Sequence, residues 1–269
     1  MIYPKSIPDQ SSFWWSGLIF MLSLFLMLSH STRLAAQAGT INFGRAYTIT
    51  SSILQEQRQL MVYTPPDYAD SKDSCHVLYL LDAEWNFHFV ASTVDKLMAS
   101  GMMPPSIVVG IVNTNRSRDL TPAGNNDNPR RFGGAASFLS FITEELQPWV
   151  GEHFRTYPFN ILAGHSFGGL FTVFSMMEAP EAFQAYIALS PSLGRNSEQQ
   201  VKRAASFFEA KDPLSKSLYL AIGDEQGYTK LSTEKLDQVV QGSKPMSFRY
   251  KFDMLEDENH ASITSIGFL

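Results

Sequence analysis

Short apolar runs alternate with polar segments along most of the chain, and each run has a length typical of a β-strand. Ser106–Asn113 is the most apolar of these runs, and Val77–Leu81 is a second run without a polar interruption. Continuous apolar runs of this kind predict strands that are buried on both faces of a sheet. Further strands are predicted at Ile41–Thr50, Gln59–Thr64, Phe159–Ala163, Tyr186–Ser190, Ser217–Ile222 and Ser247–Leu255.

Helical segments lie between several of these strands. Phe87–Ser100 reads as a helix that Gly101 and the following prolines end, and Ala135–Glu152 is an amphipathic helix after a polar loop. Parallel strands joined by helical crossovers form a doubly wound sheet. The pattern therefore predicts an α/β fold with a mostly parallel, doubly wound sheet and helices on both faces.

The first residues follow a different pattern. Phe13–Leu28 is an almost wholly apolar stretch, and the small residues Ala36-Gln37-Ala38 follow it. The stretch is short for a membrane-spanning helix and suits the core of a signal peptide. We expect residues 1–38 to be a signal peptide cleaved near Ala38, with export to the periplasm or the medium. The alternative is an uncleaved anchor, in which case this segment is the sole membrane contact.

Composition limits the remaining possibilities. The chain has 269 residues, of which 44% are apolar, and its formal net charge is −5. This length allows one large domain, expected over residues 39–269. The negative charge and the lack of a basic run argue against a nucleic-acid partner. The single cysteine, Cys75, excludes an internal disulfide.

Residues Gly164-His165-Ser166-Phe167-Gly168 carry the clearest chemical signal. An apolar strand leads into this G-x-S-x-G segment, and an apolar, helix-competent run, Leu170–Met177, leads out of it. Strand, G-x-S-x-G and helix in this order predict a nucleophile elbow, in which glycines let strand and helix approach closely. Ser166 is therefore the predicted nucleophile.

A serine nucleophile needs a base, and position along the chain separates the six histidines. His260 follows the last predicted strand in a polar loop, and such loops at the carboxyl ends of strands hold the functional groups of open α/β sheets. We expect His260 to be the general base. His165 is expected to point away from the face of the nucleophile and to pack in the core. Structural or unrelated positions are expected for His30, His76, His88 and His153.

The orienting acid should lie between the serine and the base, just after a strand. Asp224 and Glu225 follow Ser217–Ile222, whereas no carboxylate follows Tyr186–Ser190. Glu225 is favoured slightly for its longer reach, Asp224 stays open, and Asp257 is a further alternative.

Backbone N–H groups should stabilise an oxyanion beside the serine. One expected donor is Phe167, the residue after the nucleophile. The other is Glu84 or Ala83, in the loop after Val77–Leu81.

Several segments together resemble the putative-esterase branch of the α/β hydrolases, which includes esterase D-like enzymes and the enterobactin and salmochelin esterases. The matching segments are Leu80–Glu84, Asn115–Pro122, Phe138–Leu146, Ala163–Gly169, Leu189–Ser192 and Glu258–His260. The resemblance implies an α/β-hydrolase fold and hydrolysis of a small-molecule carboxylic ester through a serine acyl-enzyme, without a metal or organic cofactor. Two features depart from it: Ala83 stands where the family usually has Gly, and the sequence ends nine residues after His260, so truncation at the C-terminus is one alternative.

Two residues are candidates for substrate binding. Arg118 follows the Ser106–Asn113 strand and either binds an anionic or oxygen-rich substrate or pins its loop through Asp119. Trp85, with Phe167, is a candidate for an aromatic pocket, and a core position is an equal alternative. An acyltransferase of the same fold and a catalytically weak exported binding protein are the alternative functions.

Overall fold

A mixed eight-stranded sheet dominates the protein, as seen in a computed structural model that describes residues 43–124, 128, 131–194, 199–210 and 215–268. The predicted signal peptide, residues 1–38, lies outside the described residues. Among the residues described, no helix has both the length and the apolar character needed to cross a membrane.

The sheet has the strand order β1-β2-β4-β3-β5-β6-β7-β8. The first two strands pair antiparallel with each other, β2 pairs antiparallel with β4, and the other strands are parallel. The predicted α/β class with a mostly parallel sheet is therefore confirmed. The strands are β1 (Arg45–Ser51), β2 (Glu56–Tyr63), β3 (Cys75–Leu80), β4 (Ser106–Ile111), β5 (Thr156–His165), β6 (Ala185–Leu189), β7 (Ser217–Gly223) and β8 (Arg249–Leu255).

Helices connect the parallel strands, and the first long one crosses from β3 to β4. The helices are α1 (Ala83–Ala99), α2 (Arg116–Asp119), α3 (Ala135–Ser140), α4 (Gln147–His153), α5 (Phe167–Glu178), α6 (Gln199–Ala210), α7 (Tyr228–Ser243) and α8 (Thr264–Gly267). Helices α6 and α7 lie between the last three predicted strands, where helical crossovers were expected without individual bounds.

Alternation along the central strands divides the core between the two faces of the sheet. Val77 and Tyr79 of β3 belong to a large apolar cluster with Phe171 of α5, whereas Leu80 belongs to a second cluster with Phe87 of α1. Successive strand residues point to opposite faces, so each face needs its own helical cover. The prediction of helices on both faces is confirmed.

The helix predicted over Ala135–Glu152 is divided in the structure. Phe141–Leu146 is a π-helical segment between α3 and α4. Pro148 lies in the first turn of α4 and has no N–H to donate to the preceding turn. The missing donor explains why the regular hydrogen-bond ladder breaks at this point.

The parallel register brings the segments after four strands to one edge of the sheet. His165 at the end of β5 pairs with Leu189 of β6, and Leu189 pairs with Ala221 of β7. Leu80 of β3 pairs with Ala163 of β5. The segments that follow β3, β5, β6 and β7 therefore meet at the carboxyl edge of the sheet.

Candidate active site

Ser166 lies between β5 and α5 with a strained backbone. Its φ of 59° and ψ of −115° are unusual for a residue with a side chain, and its N–H donates to the Leu189 carbonyl at 3.0 Å. A Cβ added to Gly164 would lie 2.4 Å from the backbone carbonyl carbon of Gly168. Only glycine at position 164 lets the strand and helix meet this closely, and the turn presents the serine hydroxyl at the sheet edge.

His260 reaches Ser166 from the loop after β8. Its Nε2 lies 3.0 Å from the Ser166 hydroxyl, and its Nδ1 lies 2.8 Å from Oε2 of Glu225. The Asn259 side chain holds this loop by accepting hydrogen bonds from the N–H groups of Ala261 at 2.9 Å and Ser262 at 3.2 Å. These contacts form a continuous hydrogen-bonded chain from serine to imidazole to carboxylate.

Of the three candidate acids, the structure brings Glu225 to His260. Its side chain is 8% exposed and accepts a hydrogen bond from the Ser190 hydroxyl. Asp224 faces solvent instead, with 69% of its side chain exposed and Lys230 Nζ at 3.8 Å, and Asp257 is exposed. The two neighbouring carboxylates leave β7 in different directions, so only one of them turns inward.

Burial by itself raises the pKa of the Glu225 carboxyl. The hydrogen bonds from His260 and Ser190, together with the charge of His260, outweigh burial and leave that pKa below its usual value. The side chain is therefore held as a carboxylate, the form that pairs with an imidazolium.

The expectation that His165 points away from the site is wrong. Its ring lies 4.7 Å from the ring of His260, centroid to centroid. Burial, and then repulsion by His260, lower the pKa of His165 to about 4, although a hydrogen bond with the His260 backbone acts in the opposite direction. His165 is packed, as expected, but it packs as a neutral ring against the predicted base.

The two predicted sources of oxyanion donors are helix N-termini. Phe167 is the first residue of α5, and Ala83 and Glu84 are the first two residues of α1. The first N–H groups of a helix have no acceptor within the helix, so they are available to an anion. Gly168, in the first turn of α5, lies close to Asp82. A Cβ added to this glycine would lie 3.2 Å from Oδ2 of Asp82.

Ala83 does not disturb this arrangement. The residue in the left-handed region is Asp82, with φ 55°, and Ala83 is absent from the residues with positive φ. The buried Ala83 side chain faces Gly110 of β4, where a Cβ would lie 2.7 Å from the Ala83 methyl group. The glycine on β4 thus makes room for the alanine that departs from the family pattern.

The arginine beside the elbow is Arg116, whereas the candidate predicted from the sequence is Arg118. Nε and Nη2 of Arg116 donate to the two carboxylate oxygens of Asp82 at 2.7 and 2.9 Å. The guanidinium carbon lies 5.5 Å from the ring centroid of Trp85 and 5.3 Å from that of Phe167. Trp85 itself is 67% exposed, so it lies at the rim of the site and not in the core.

Arg118 lies in a separate ion-pair network. It donates to Asp119 and to Glu56, each at 2.6 Å. Asp119 in turn pairs with the fully buried Arg58 at 2.7 Å. The structure thus shows the contacts expected of a residue that pins its loop, and they link that loop to β2.

Two serines after β6 were also missed. Ser190 contacts Glu225, and the Ser192 hydroxyl lies 3.2 Å from that of Ser166. This segment holds no carboxylate and so offers no orienting acid, but its hydroxyl groups contact both the acid and the nucleophile. Its place directly after a central strand was the signal available in the sequence.

Comparison with known proteins identifies the family. Residues 51–262 match the family model described as putative esterase. Ferri-bacillibactin esterase BesA of Bacillus subtilis is 28% identical over 219 residues, covering 71% of this chain and 75% of the relative. A siderophore enterobactin esterase of Emericella nidulans is 27% identical over 201 residues, covering 63% of this chain and 66% of the relative.

A solved structure supports the same assignment. An IroE-like serine hydrolase from Shewanella oneidensis superposes with a TM-score of 0.79 at 32% identity, covering 84% of this chain and 77% of that protein. The chain therefore belongs to the putative esterase family and is a carboxylic ester hydrolase with the α/β-hydrolase fold.

Proposed function

We propose that this protein is an exported serine esterase that hydrolyses small carboxylic esters through an acyl-enzyme on Ser166. The observation that carries the proposal is the hydrogen-bonded chain from the Ser166 hydroxyl through His260 to Glu225, with distances of 3.0 and 2.8 Å. A nucleophile, a base and an acid in this order form the arrangement of serine hydrolases.

In the acylation step, His260 Nε2 accepts the Ser166 proton while Oγ attacks the ester carbonyl carbon. The negative charge that develops on the carbonyl oxygen is stabilised by the N–H of Phe167 and by an N–H of Ala83 or Glu84. The imidazolium then gives its proton to the departing alkoxide, and the alcohol leaves. Glu225 stabilises the imidazolium and fixes the ring orientation without itself taking the proton.

In the deacylation step, water replaces the alcohol. His260 accepts a proton from the water as its oxygen attacks the acyl carbon, and a second oxyanion forms in the same place. Collapse of this intermediate breaks the bond to Ser166 Oγ, which regains a proton from His260. The products are one carboxylic acid and one alcohol for each water consumed.

We place the substrate among siderophore-type and other small esters. The curated relatives described above carry names of siderophore esterases. The exposed Trp85 ring and the guanidinium of Arg116 at the rim of the site suit ligands that carry aromatic or oxygen-rich groups.

The reaction is tested by measuring hydrolysis of p-nitrophenyl acetate and butyrate by wild-type protein and Ser166→Ala. Loss of the nucleophile in such triads lowers kcat on the order of a million-fold. Ser92→Ala, an exposed serine on α1, is the matched control and should keep wild-type rates. Equal rates for wild type and Ser166→Ala would refute the mechanism.

The substrate class is tested with a panel of cyclic siderophore lactones, linear siderophore esters and simple alkyl esters. A clear preference in kcat/KM for siderophore esters supports the assignment. A preference for simple alkyl esters contradicts it without affecting the esterase mechanism. Adding alcohol acceptors and identifying the products separates hydrolysis from acyl transfer.

Export is proposed from residues 1–38 and is tested by cell fractionation. Full-length protein produced in a Gram-negative host should appear outside the cytoplasm, with a mature N-terminus near position 39. A protein that keeps Met1 and sediments with membranes would show an uncleaved anchor instead.

A further inference from the structure

The turn after β6 is held against the nucleophile elbow by backbone contacts. Gly169 of α5 makes room for it, because a Cβ at that position would lie 2.9 Å from the Leu189 carbonyl oxygen and 3.0 Å from Pro191 Cα. The N–H of Ser192 then donates to the Ser166 carbonyl at 3.1 Å. The backbone of Ser192 is therefore bonded directly to the backbone of the predicted nucleophile.

Further contacts constrain the same turn from its other side. Ser190 has a φ of 39°, in the left-handed region, and its N–H donates to the Ala221 carbonyl at 2.8 Å. The Ser190 hydroxyl donates to the buried carboxylate of Glu225. Pro191 follows with a φ that its ring restricts. Ser192 therefore belongs to a turn that contacts the acid at one end and the nucleophile at the other.

The side chain of the half-buried Ser192 contacts the reacting oxygen, since its hydroxyl lies 3.2 Å from Ser166 Oγ. Counting protons gives the direction of this hydrogen bond. A carboxylate can only accept, so Nδ1 of His260 donates to Glu225, and Nε2 is the acceptor that faces Ser166. The single proton of the Ser166 hydroxyl goes to Nε2. Ser192 must therefore be the donor to Ser166 Oγ.

We propose that Ser192 is a further catalytic residue, whose hydroxyl donates a hydrogen bond to Ser166 Oγ in both halves of the reaction. The inference rests on the proposed acyl-enzyme mechanism. In acylation the Oγ proton moves to His260 Nε2 while Oγ bonds to the ester carbonyl carbon, and Oγ carries partial negative charge. In deacylation the bond between the acyl carbon and Oγ breaks, and Oγ is again charged until His260 returns the proton. Ser192 keeps its own proton throughout.

The hydrogen bond from Ser192 should be stronger in the transition state than in the resting enzyme. A hydrogen bond to a charged acceptor is roughly twice as strong as one between neutral groups. An interaction that strengthens in this way lowers the barrier, whereas one of constant strength does not. The role is separate from that of the predicted oxyanion donors, which are backbone N–H groups assigned to the carbonyl oxygen of the substrate. Ser192 acts on the oxygen of the nucleophile instead.

The experiment compares full-length wild type, Ser192→Ala and Ser192→Thr in two assays. Stopped-flow hydrolysis of p-nitrophenyl acetate measures the rate constants of acylation and deacylation. Inactivation by diethyl p-nitrophenyl phosphate measures attack by Ser166 Oγ without turnover. Ser192→Ala should lower all three rate constants about tenfold, because it removes a hydrogen bond to a charged oxygen. Ser192→Thr keeps a hydroxyl and should recover most of this loss.

Ser74→Ala, at an exposed position before β3, is the matched control and should keep wild-type rates. Wild-type rate constants in Ser192→Ala would overturn the proposal, and so would faster ones, which would mean that Ser192 accepts the Ser166 proton. An equal loss in Ser192→Thr would assign the effect to packing and overturn it as well.

Circular dichroism checks that each variant folds. If Ser192→Ala does not fold, Ser192→Cys takes its place, because a thiol is a weak donor of similar size. The same loss is expected, and wild-type rate constants would overturn the proposal. A wild type that the phosphate ester does not inactivate, or an active Ser166→Ala, would instead refute the underlying mechanism.

Discussion

At the residue scale, two adjacent carboxylates have opposite surroundings. Glu225 is buried and contacts His260 and Ser190, whereas Asp224 is exposed and lies near Lys230. Chain position cannot separate them, because both follow the same strand. The direction in which each side chain leaves the backbone decides which one meets the histidine.

We expect Glu225→Gln to lower kcat by about 10⁴-fold, as loss of the charge beside the imidazole does in related triads. Asp224→Asn removes an exposed carboxylate and should change kcat less than about twofold, since exposed ion pairs contribute little. Steady-state kinetics on p-nitrophenyl butyrate measures both. Equal effects of the two substitutions would contradict the assignment of Glu225.

At the element scale, the short helix α2 joins the site to the sheet. Asp119 at its end is 1% exposed and pairs with the fully buried Arg58 of β2, whose guanidinium carbon lies 4.8 Å from the Phe138 ring centroid. The same helix begins with Arg116, which pairs with Asp82. Four residues thus connect a buried ion pair to the N-terminus of α1.

We expect Asp119→Asn to lower the free energy of unfolding by about 3 kcal/mol, because it leaves the buried Arg58 with Glu56 as its one remaining carboxylate partner among the described contacts. Urea denaturation measures the change. Asp70→Asn, at an exposed position, should stay within about 0.5 kcal/mol of wild type. A loss as small as that of the control would show that Asp119 does not anchor the helix.

At the scale of the whole molecule, long-range carboxylate contacts join distant elements. Glu145 of the π-helical segment accepts hydrogen bonds from the backbone N–H groups of Ser52 at 2.8 Å and Ile53 at 3.0 Å in the β1–β2 turn. Burial alone raises the pKa of Glu145 and of Glu56, but hydrogen bonds to the former and Arg118 beside the latter bring each pKa below its usual value. Glu225 behaves in the same way.

These three shifts determine how stability should depend on acid. A carboxyl with a lowered pKa in the folded state contributes stability that is fully present above its usual pKa of 4.5 and is lost as the pH falls through the folded value. We therefore expect the free energy of unfolding to change little between about pH 7 and pH 5 from these groups and to fall below about pH 4.5.

Urea denaturation at a series of pH values measures this dependence. Glu145→Gln should flatten the acid branch of the curve, since one of the three contributing groups is removed. Glu152→Gln, on the exposed surface of α4, should leave the shape unchanged. A variant Glu145→Gln with the full acid dependence of wild type would contradict the contribution of that residue.

The sequence predicted most of the sheet and the place of Ser166. Apolar strands and the glycine-flanked elbow are local patterns, in which strand, turn and helix follow one another within a few residues. Helices α6 and α7 were not given bounds from the sequence, although Val201, Ala204 and Phe208 recur at helical spacing in α6. The interruption near Pro148 was missed because its neighbours keep an amphipathic pattern.

The sequence by itself determined the α/β class, the family and the elbow, because these depend on local periodicity and on motifs contiguous in the chain. Only the tertiary structure decided that Glu225 and not Asp224 meets His260, that His165 packs against that ring, and that Arg116 and not Arg118 lies beside the elbow. Those outcomes depend on strand register and side-chain direction, which bring together groups up to 94 positions apart. Side chains of adjacent residues can point in different directions, as those of Asp224 and Glu225 do, and the sequence alone does not show which one points into the site.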